Sequence, residues 1–181
     1  LGWSAGDLLV LDIGGGSLEI ARGSAENPDF KRSMQLGAGR LTRTFLKGDP
    51  FSEKSLAALD VFIGSEVSTL IEPLKSFDKD IATGTSKTFR TLAKIAQNQS
   101  PKSGPHLTLD ILEEFLPKLQ KLSLEERQSL PGVSHERAQQ IVAGGMVARH
   151  LMRALKLKEI RICPWALREG VVLHRLDWIE R

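Results

Sequence analysis

The chain has 181 residues, enough for one well-packed domain or two small ones, and its 41% apolar and 26% charged residues are ordinary for a globular protein. The formal net charge is only +3 and the basic residues are spread along the chain, so charge gives no argument for nucleic-acid binding. The single cysteine, Cys163, excludes an internal disulfide and favours a reducing, cytoplasmic compartment. The sequence shows neither a signal-peptide pattern nor a run of roughly twenty apolar residues, so it gives no reason to expect a membrane partner.

The first predicted elements are two strands joined by a glycine turn. Residues 8–13 form a short apolar run that ends at three glycines, as expected for a buried strand entering a tight turn. Residues 17–22 then alternate polar and apolar side chains, so the two segments together predict a β-hairpin. A third strand is predicted over residues 30–36, and Gly37-Ala38-Gly39 ends it before a helix that contains Arg40.

Capping residues and helical spacing predict the next elements. Ser52 is the predicted N-cap of one long amphipathic helix whose apolar positions continue to Leu74. A short strand over residues 80–83 then leads through a small-residue turn into another helix, a shape that can receive an anion. Residues 98–106 have the composition of a linker.

The remainder of the chain is predominantly helical. Helices are predicted over residues 109–122, from the cap Ser123 to the break at Pro131-Gly132, and from the cap Ser134 onwards. A strand over residues 159–163 and a helix over residues 166–178 close the chain. Three strands followed by helices that alternate with two further strands predict an α/β domain with a mixed sheet.

Residues 12–19 combine carboxylates, glycines and a hydroxyl in the turn of the hairpin: Asp12, Gly14, Gly15, Gly16, Ser17 and Glu19. Three glycines let the backbone approach a ligand and turn its N–H groups toward an oxyanion, and the serine adds a donor. Since Ser17 and Glu19 point to the same side of an extended strand, a carboxylate would lie beside the anion, which indicates a bridging Mg²⁺ or a positioned water. The alternative is a glycine-rich hairpin with a solvated Glu19.

A second candidate anion site lies at the start of a helix and consists of Gly84, Thr85, Ser86 and Lys87. Hydroxyls and unpaired N–H groups at such a position lie where the helix dipole favours negative charge. The alternative is an ordinary capped helix with solvent-facing cations. Arg40 and Arg137 are further candidate phosphate ligands, the latter because an arginine in a first helical turn opposes the dipole unless an anion is near.

Five ordered motifs resemble the exopolyphosphatase/guanosine pentaphosphate phosphatase family, a branch of the actin, sugar-kinase and Hsp70 superfamily. They are residues 8–20, 36–42, 84–88, 130–133 with 136–138, and 166–171, and together they cover nearly the whole chain. The resemblance implies a single α/β domain, residues 1–181, with an RNase H-like fold and a mixed sheet. Its core would comprise about residues 7–97 and 134–181, with an inserted helical segment at about 107–130.

The resemblance also implies a reaction, the Mg²⁺-dependent hydrolysis of the terminal phosphate of inorganic polyphosphate or of guanosine pentaphosphate. By motif matching, residues 14–17 would hold the phosphate, and Asp12 and Glu19 would hold Mg²⁺ or orient the attacking water. Residues 84–87 and Arg137 would bind further phosphates. A homodimer is a candidate assembly, because dimers are common in this family.

The chain departs from the family pattern at its start. Family members carry an N-terminal domain of the same fold, with another phosphate loop and a glutamate that is assigned the role of base, and neither is found here. The first residue is Leu1 and the first methionine is Met34. We therefore expect the C-terminal half of a two-domain enzyme, which needs its N-terminal domain as a partner and has little or no activity alone.

Two other functions fit part of the pattern. A kinase of the same superfamily would use a similar phosphate loop, but such kinases usually place a Gly-Gly turn after the last strand, where this chain has Cys163-Pro164-Trp165. A non-catalytic module that binds polyphosphate or an alarmone is disfavoured by Asp12 and Glu19, because a carboxylate does not help to bind an anion.

Overall fold

A six-stranded mixed sheet forms the centre of the computed structural model, which describes residues 7–24, 28–76, 82–99, 104 and 106–163. The strands in chain order are β1 (Leu8–Ile13), β2 (Leu18–Gly23), β3 (Phe30–Met34), β4 (Ala82–Gly84), β5 (His106–Thr108) and β6 (Glu159–Ile162). Their order across the sheet is β3-β2-β1-β4-β6-β5. β1, β4 and β6 run parallel, whereas β2, β3 and β5 each run antiparallel to a neighbour. The predicted mixed sheet is confirmed.

The predicted hairpin of β1 and β2 is also confirmed. Side chains alternate between the two faces of a strand, and one face of this hairpin is buried in the core. Five apolar side chains on that face are at most 2% exposed: Leu9, Leu11, Ile13, Leu18 and Ile20. The alternate positions therefore lie on the opposite face, where Asp12 is directly opposite Glu19.

Six helices complete the described part of the chain: α1 (Ala38–Phe45), α2 (Glu53–Ser68), α3 (Lys87–Gln99), α4 (Leu109–Lys121), α5 (Leu124–Gln128) and α6 (His135–Ala154). The three predicted N-caps are confirmed, because the hydroxyls of Ser52, Ser123 and Ser134 each accept a hydrogen bond from the backbone N–H three residues later. Such a cap stabilises a protein by about 1 kcal/mol. Ser123 also forms a capping box with Glu126.

α6 is the central helix and packs against α1, α2, α3 and α4. Its two adjacent glycines have no room for a side chain. A methyl group on Gly144 would lie 2.5 Å from Cγ2 of Thr88, and one on Gly145 would lie 2.8 Å from Cδ1 of Leu116. Close packing of α6 against its neighbours therefore explains the glycines, although glycine inside a helix costs about 1 kcal/mol relative to alanine.

Several boundaries differ from the sequence prediction. α2 ends at Ser68 instead of continuing to Leu74, because the N–H groups of residues 69–71 bond to carbonyls three residues earlier and the chain forms turns over residues 69–76. β3 ends at Met34. The strand β5 was not predicted, since its three residues lie at the boundary between the predicted linker and the predicted helical segment.

The helix predicted over residues 166–178 lies outside the described residues, and the domain boundaries stay predictions. None of the described helices is both long and apolar enough to cross a membrane.

Candidate functional site

The two predicted anion loops lie side by side at the carboxyl ends of two neighbouring parallel strands. Residues 14–17, the glycine loop, follow β1, and residues 84–87, the β4 loop, follow the parallel strand β4. The backbone N–H of Thr85 donates to the carbonyl of Leu11 at 3.1 Å and so extends the pairing of the two strands. In open α/β sheets, ligands bind at the carboxyl ends of the strands. The structure thus brings the two loops together where such a ligand would be expected.

The N-terminus of α1 fixes the glycine loop. The N–H of Ala38 donates to the carbonyl of Gly14 at 2.9 Å, and the N–H of Arg40 donates to the carbonyl of Gly15 at 2.8 Å. The side-chain Nε of Arg40 donates to the carbonyl of Gly16 at 3.0 Å. Three consecutive carbonyls therefore point toward α1, and two of them satisfy N–H groups that a helix start leaves unpaired.

These contacts turn three N–H groups of the loop outward. In a planar trans peptide the carbonyl and the following N–H point in opposite directions. The N–H groups of Gly15, Gly16 and Ser17 therefore face away from α1, and no backbone carbonyl of the described residues accepts from them. Gly15 and Gly16 are exposed. Successive N–H groups of a turn are suited to bind an anion, and phosphate binding by the glycine loop stays a prediction.

Gly37 allows α1 to approach the loop so closely. It is the N-cap of α1 with a φ of −70°, a conformation that any residue adopts, so the backbone does not require glycine. A methyl group on Gly37 would nevertheless lie 2.1 Å from the carbonyl carbon of Gly16 and 2.2 Å from the nitrogen of Ser17. The close approach of α1 to the loop is therefore what requires glycine at this position.

Asp12 and Glu19 lie directly opposite each other on β1 and β2. Opposite residues on neighbouring antiparallel strands have Cβ atoms about 5 Å apart, and two carboxylates so placed repel each other. Each carboxylate is held by one hydroxyl: Oγ1 of Thr85 donates to Oδ2 of Asp12 at 2.8 Å, and Oγ of Ser33 donates to Oε1 of Glu19 at 3.2 Å. Among the described residues, the second oxygen of each carboxylate receives no hydrogen bond.

This pair of carboxylates fits a hard divalent cation, which would relieve the repulsion between them. Mg²⁺ prefers oxygen ligands and is commonly held by one or two carboxylates together with water and substrate phosphate oxygens. In the part of the chain that the structure describes, no group of three or more His, Cys, Asp or Glu residues could hold a metal. Asp12 and Glu19 therefore stay predicted Mg²⁺ ligands, and a cation held by them would take its other ligands from water and substrate.

The β4 loop uses several of its polar groups internally. Oγ of Ser86 accepts the N–H of Phe89 at 3.3 Å, and the carbonyl of Gly84 accepts the N–H of Cys163 at 3.0 Å. A methyl group on Gly84 would lie 2.6 Å from the ring of Phe89. These two residues therefore have clear architectural roles, whereas Lys87 is exposed. Phosphate binding by this loop stays a prediction.

Among the described residues, no hydrogen bond or ion pair joins Arg137 to either loop. Its side chain is 16% exposed, its guanidinium lies 3.6 Å from the carboxylate of Glu136, and its backbone N–H is capped by Ser134. A role for Arg137 in phosphate binding therefore also stays a prediction.

Sequence reasoning missed two hydroxyl groups that help to build the site. Thr88 is buried, and its Oγ1 donates to the carbonyl of Ile13 at 2.8 Å, which fixes the end of β1 just before the glycine loop. Ser33 holds Glu19. Thr88 lies within one of the five motifs, but nothing in that motif connects it with β1. Ser33 could have been found only from the register of β3 against β2.

Comparison with known sequences identifies relatives along nearly the whole chain. The profile of the Ppx/GppA phosphatase family matches residues 1–178. Exopolyphosphatase 1 of Mycobacterium leprae is 44% identical over 181 residues, which are 97% of this chain and 53% of that protein. The guanosine-5'-triphosphate,3'-diphosphate pyrophosphatase of Pseudoalteromonas atlantica is 26% identical over 97% of this chain and 35% of its own length. The chain thus spans about half the length of the exopolyphosphatase that it matches.

Solved structures share the same fold. The crystal structure of the Aquifex aeolicus member of the Ppx/GppA family superposes with a TM-score of 0.81 at 26% identity, over 97% of this chain and 58% of that one. An exopolyphosphatase from Cytophaga hutchinsonii superposes with a TM-score of 0.80 at 22% identity, over 96% of this chain and 58% of that one, and this likeness concerns the fold alone. The predicted actin-like α/β fold is confirmed, and the chain belongs to the Ppx/GppA phosphatase family.

Proposed function

We propose that this chain forms one wall of the active site of an exopolyphosphatase, which removes the terminal phosphate from inorganic polyphosphate. The observation that carries the proposal is the glycine loop, whose three outward N–H groups lie beside a pair of carboxylates. The N–H groups would bind oxygens of the terminal phosphate and stabilise the charge that develops on them. Asp12 and Glu19 would hold Mg²⁺ or orient the attacking water.

The other wall of the site would come from an N-terminal domain of the same protein. The length of the chain supports this part of the proposal, since it spans 53% of the exopolyphosphatase 1 from Mycobacterium leprae. The general base would then belong to that domain, and the chain alone would hydrolyse polyphosphate slowly or not at all. We expect the complete protein to act in the cytoplasm, and a homodimer is its candidate assembly.

Guanosine pentaphosphate is the alternative substrate. It also ends in a phosphoanhydride that the same N–H groups could bind, and the pyrophosphatase from Pseudoalteromonas atlantica is a relative. Polyphosphate is favoured because the 44% identical relative is an exopolyphosphatase, whereas the pyrophosphatase is 26% identical. A module that binds either compound without hydrolysis is less well supported, because the paired carboxylates would weaken anion binding unless a cation lies between them.

Phosphate release by the full-length protein tests the proposal. Long-chain polyphosphate and guanosine pentaphosphate would be supplied at equal concentrations of terminal phosphate, with Mg²⁺ or with excess EDTA, and the isolated chain would serve as the matched control. We expect Mg²⁺-dependent release that is faster from polyphosphate and is nearly absent with the isolated chain. Release from guanosine pentaphosphate alone would establish the alternative substrate, and binding of polyphosphate without any release would establish the non-catalytic function.

A further inference from the structure

A row of polar side chains crosses the sheet beside the glycine loop. The strand registers place Asp12 opposite Glu19 and Glu19 opposite Ser33, so these three residues lie next to one another on one face of β1, β2 and β3. Thr85 joins the other end of the row through its hydrogen bond to Asp12. The acidic pair is therefore flanked by one hydroxyl on each side.

Ser33 engages only one oxygen of the Glu19 carboxylate. Its Oγ donates to Oε1 at 3.2 Å, whereas Oε2 lies 3.9 Å from the position that a methyl group on Gly14 would occupy. Oε2 is thus the oxygen that faces the glycine loop. Glu19 is exposed and its flexible side chain would otherwise occupy several rotamers, so the hydrogen bond to one carboxylate oxygen favours the orientation in which the other oxygen faces the loop.

We propose that Ser33 is a positioning residue, which holds Glu19 by Oε1 so that Oε2 faces the glycine loop and is available to a cation or a water molecule there. The catalytic consequence of this inference rests on the proposed function, but the orientation of the carboxylate does not. Thr85 provides the corresponding hydrogen bond to Asp12 from the opposite side.

The expected effect is moderate because both partners are exposed to solvent. Water can replace the Ser33 hydroxyl, so its removal should lower kcat of the full-length protein by about 3–10-fold, the effect of losing one hydrogen bond to a charged group near the surface. The KM for polyphosphate should change by less than about twofold, since the loop N–H groups that would bind the phosphate keep their positions. A general disturbance of the fold would instead lower stability and change both constants.

Three variants of the full-length protein test the inference. Ser33→Ala removes the hydroxyl, Ser33→Thr restores it with a side chain that suits a strand, and Ser65→Ala removes an exposed hydroxyl from α2 as a matched control. Each variant would be measured for kcat, for KM and for its unfolding midpoint in urea. The affinity of each variant for Mn²⁺, with imidodiphosphate present in place of the substrate, gives a readout that does not depend on hydrolysis. It would be measured from the electron paramagnetic resonance signal of free Mn²⁺.

We expect Ser33→Ala to lower kcat and to weaken Mn²⁺ binding by about 3–10-fold. Ser33→Thr and Ser65→Ala should behave like the unmodified protein, and all midpoints should agree. Unchanged kcat and Mn²⁺ affinity in Ser33→Ala would overturn the inference, as would an equal loss in Ser33→Thr. If the unmodified protein releases no phosphate from polyphosphate, the proposed function fails, while the Mn²⁺ affinities of the three variants still decide the role of Ser33.

Discussion

Replacement of Gly37 by alanine tests whether the close approach of α1 shapes the glycine loop. The backbone of Gly37 suits alanine because its φ is −70°, so any effect must come from the added methyl group. That methyl would lie 2.1 Å from the carbonyl carbon of Gly16 and 2.2 Å from the nitrogen of Ser17. Carbon atoms in contact are normally about 3.5–4.0 Å apart, so α1 and the loop would have to separate by more than about 1 Å.

Such a separation would stretch the hydrogen bonds from Ala38 to Gly14 and from Arg40 to Gly15, which now measure 2.9 and 2.8 Å. Each is worth about 0.5–1.5 kcal/mol net, and overpacking typically costs about 1–3 kcal/mol in addition. We therefore expect Gly37→Ala to lower the free energy of unfolding by about 2–6 kcal/mol. The loop N–H groups would also lose their common orientation.

Urea unfolding of the Gly37→Ala variant, followed by circular dichroism, measures the loss in stability, and phosphate release by the full-length variant measures the loss in function. Gly15→Ala is the matched control for stability, because a methyl group there meets no atom within 4 Å and its φ is not positive. It should change the free energy of unfolding by less than about 0.5 kcal/mol. If Gly37→Ala is as stable and as active as the unmodified protein, the reasoning about the close approach is refuted.

Three further predictions concern stability, measured by urea unfolding. Thr88→Val should cost about 1–3 kcal/mol, because the carbonyl of Ile13 loses its buried donor; a loss below about 0.5 kcal/mol would contradict this role. Burial alone would raise the pKa of Asp60, but hydrogen bonds and charges from its basic neighbours on α6 lower that pKa overall. The ionised Asp60 therefore stabilises the folded protein above the ordinary aspartate pKa, and this contribution is lost as the pH falls through the lowered pKa. Asp60→Asn should therefore lower the free energy of unfolding by about 0.5–1 kcal/mol at pH 7, a modest value because the side chain is 43% exposed. This loss of stability should shrink below about pH 4, and a loss that stayed constant would contradict the reasoning. Asp49→Ala should cost about 2 kcal/mol, because it removes the carboxylate partner of Arg127, a residue that is 1% exposed, and the acceptor of the backbone N–H of Leu124; equal stability would exclude a role for this ion pair.

The sheet and most helix starts were predictable because their signals are local. An apolar run before three glycines specifies β1 and its turn, and the hydroxyl of Ser123 satisfies an N–H only three residues away. The strand β5 was missed because three residues are too few to display a period, and its pairing partner β6 lies some fifty residues later. The end of α2 was misplaced because the apolar spacing continues past Ser68 into a turn in which Leu70 and Leu74 are also buried.

The candidate site was predictable in its composition but not in its geometry. The glycine loop was found because three successive glycines after a strand favour a tight turn and a close approach of the backbone to a ligand. The orientation of its N–H groups, however, depends on α1, more than twenty residues later. A phosphate-binding role for Thr85 stays a prediction, but the hydrogen bond from its hydroxyl to Asp12, 73 residues away in sequence, was not foreseen. Contacts between such distant residues leave no periodic signal in a single sequence.

The rate of phosphate release by a Glu19→Gln variant of the full-length protein tests the central claim most directly. Glutamine keeps the size and shape of the side chain, and its oxygen can still accept the hydrogen bond from Ser33, so the structure should be retained. Because the charge needed to bind Mg²⁺ or to orient the attacking water is lost, we predict that kcat for polyphosphate falls by about 100-fold or more, while polyphosphate still binds. Hydrolysis at the unmodified rate would contradict a catalytic role for Glu19 and thus the proposal that the acidic pair acts in the reaction.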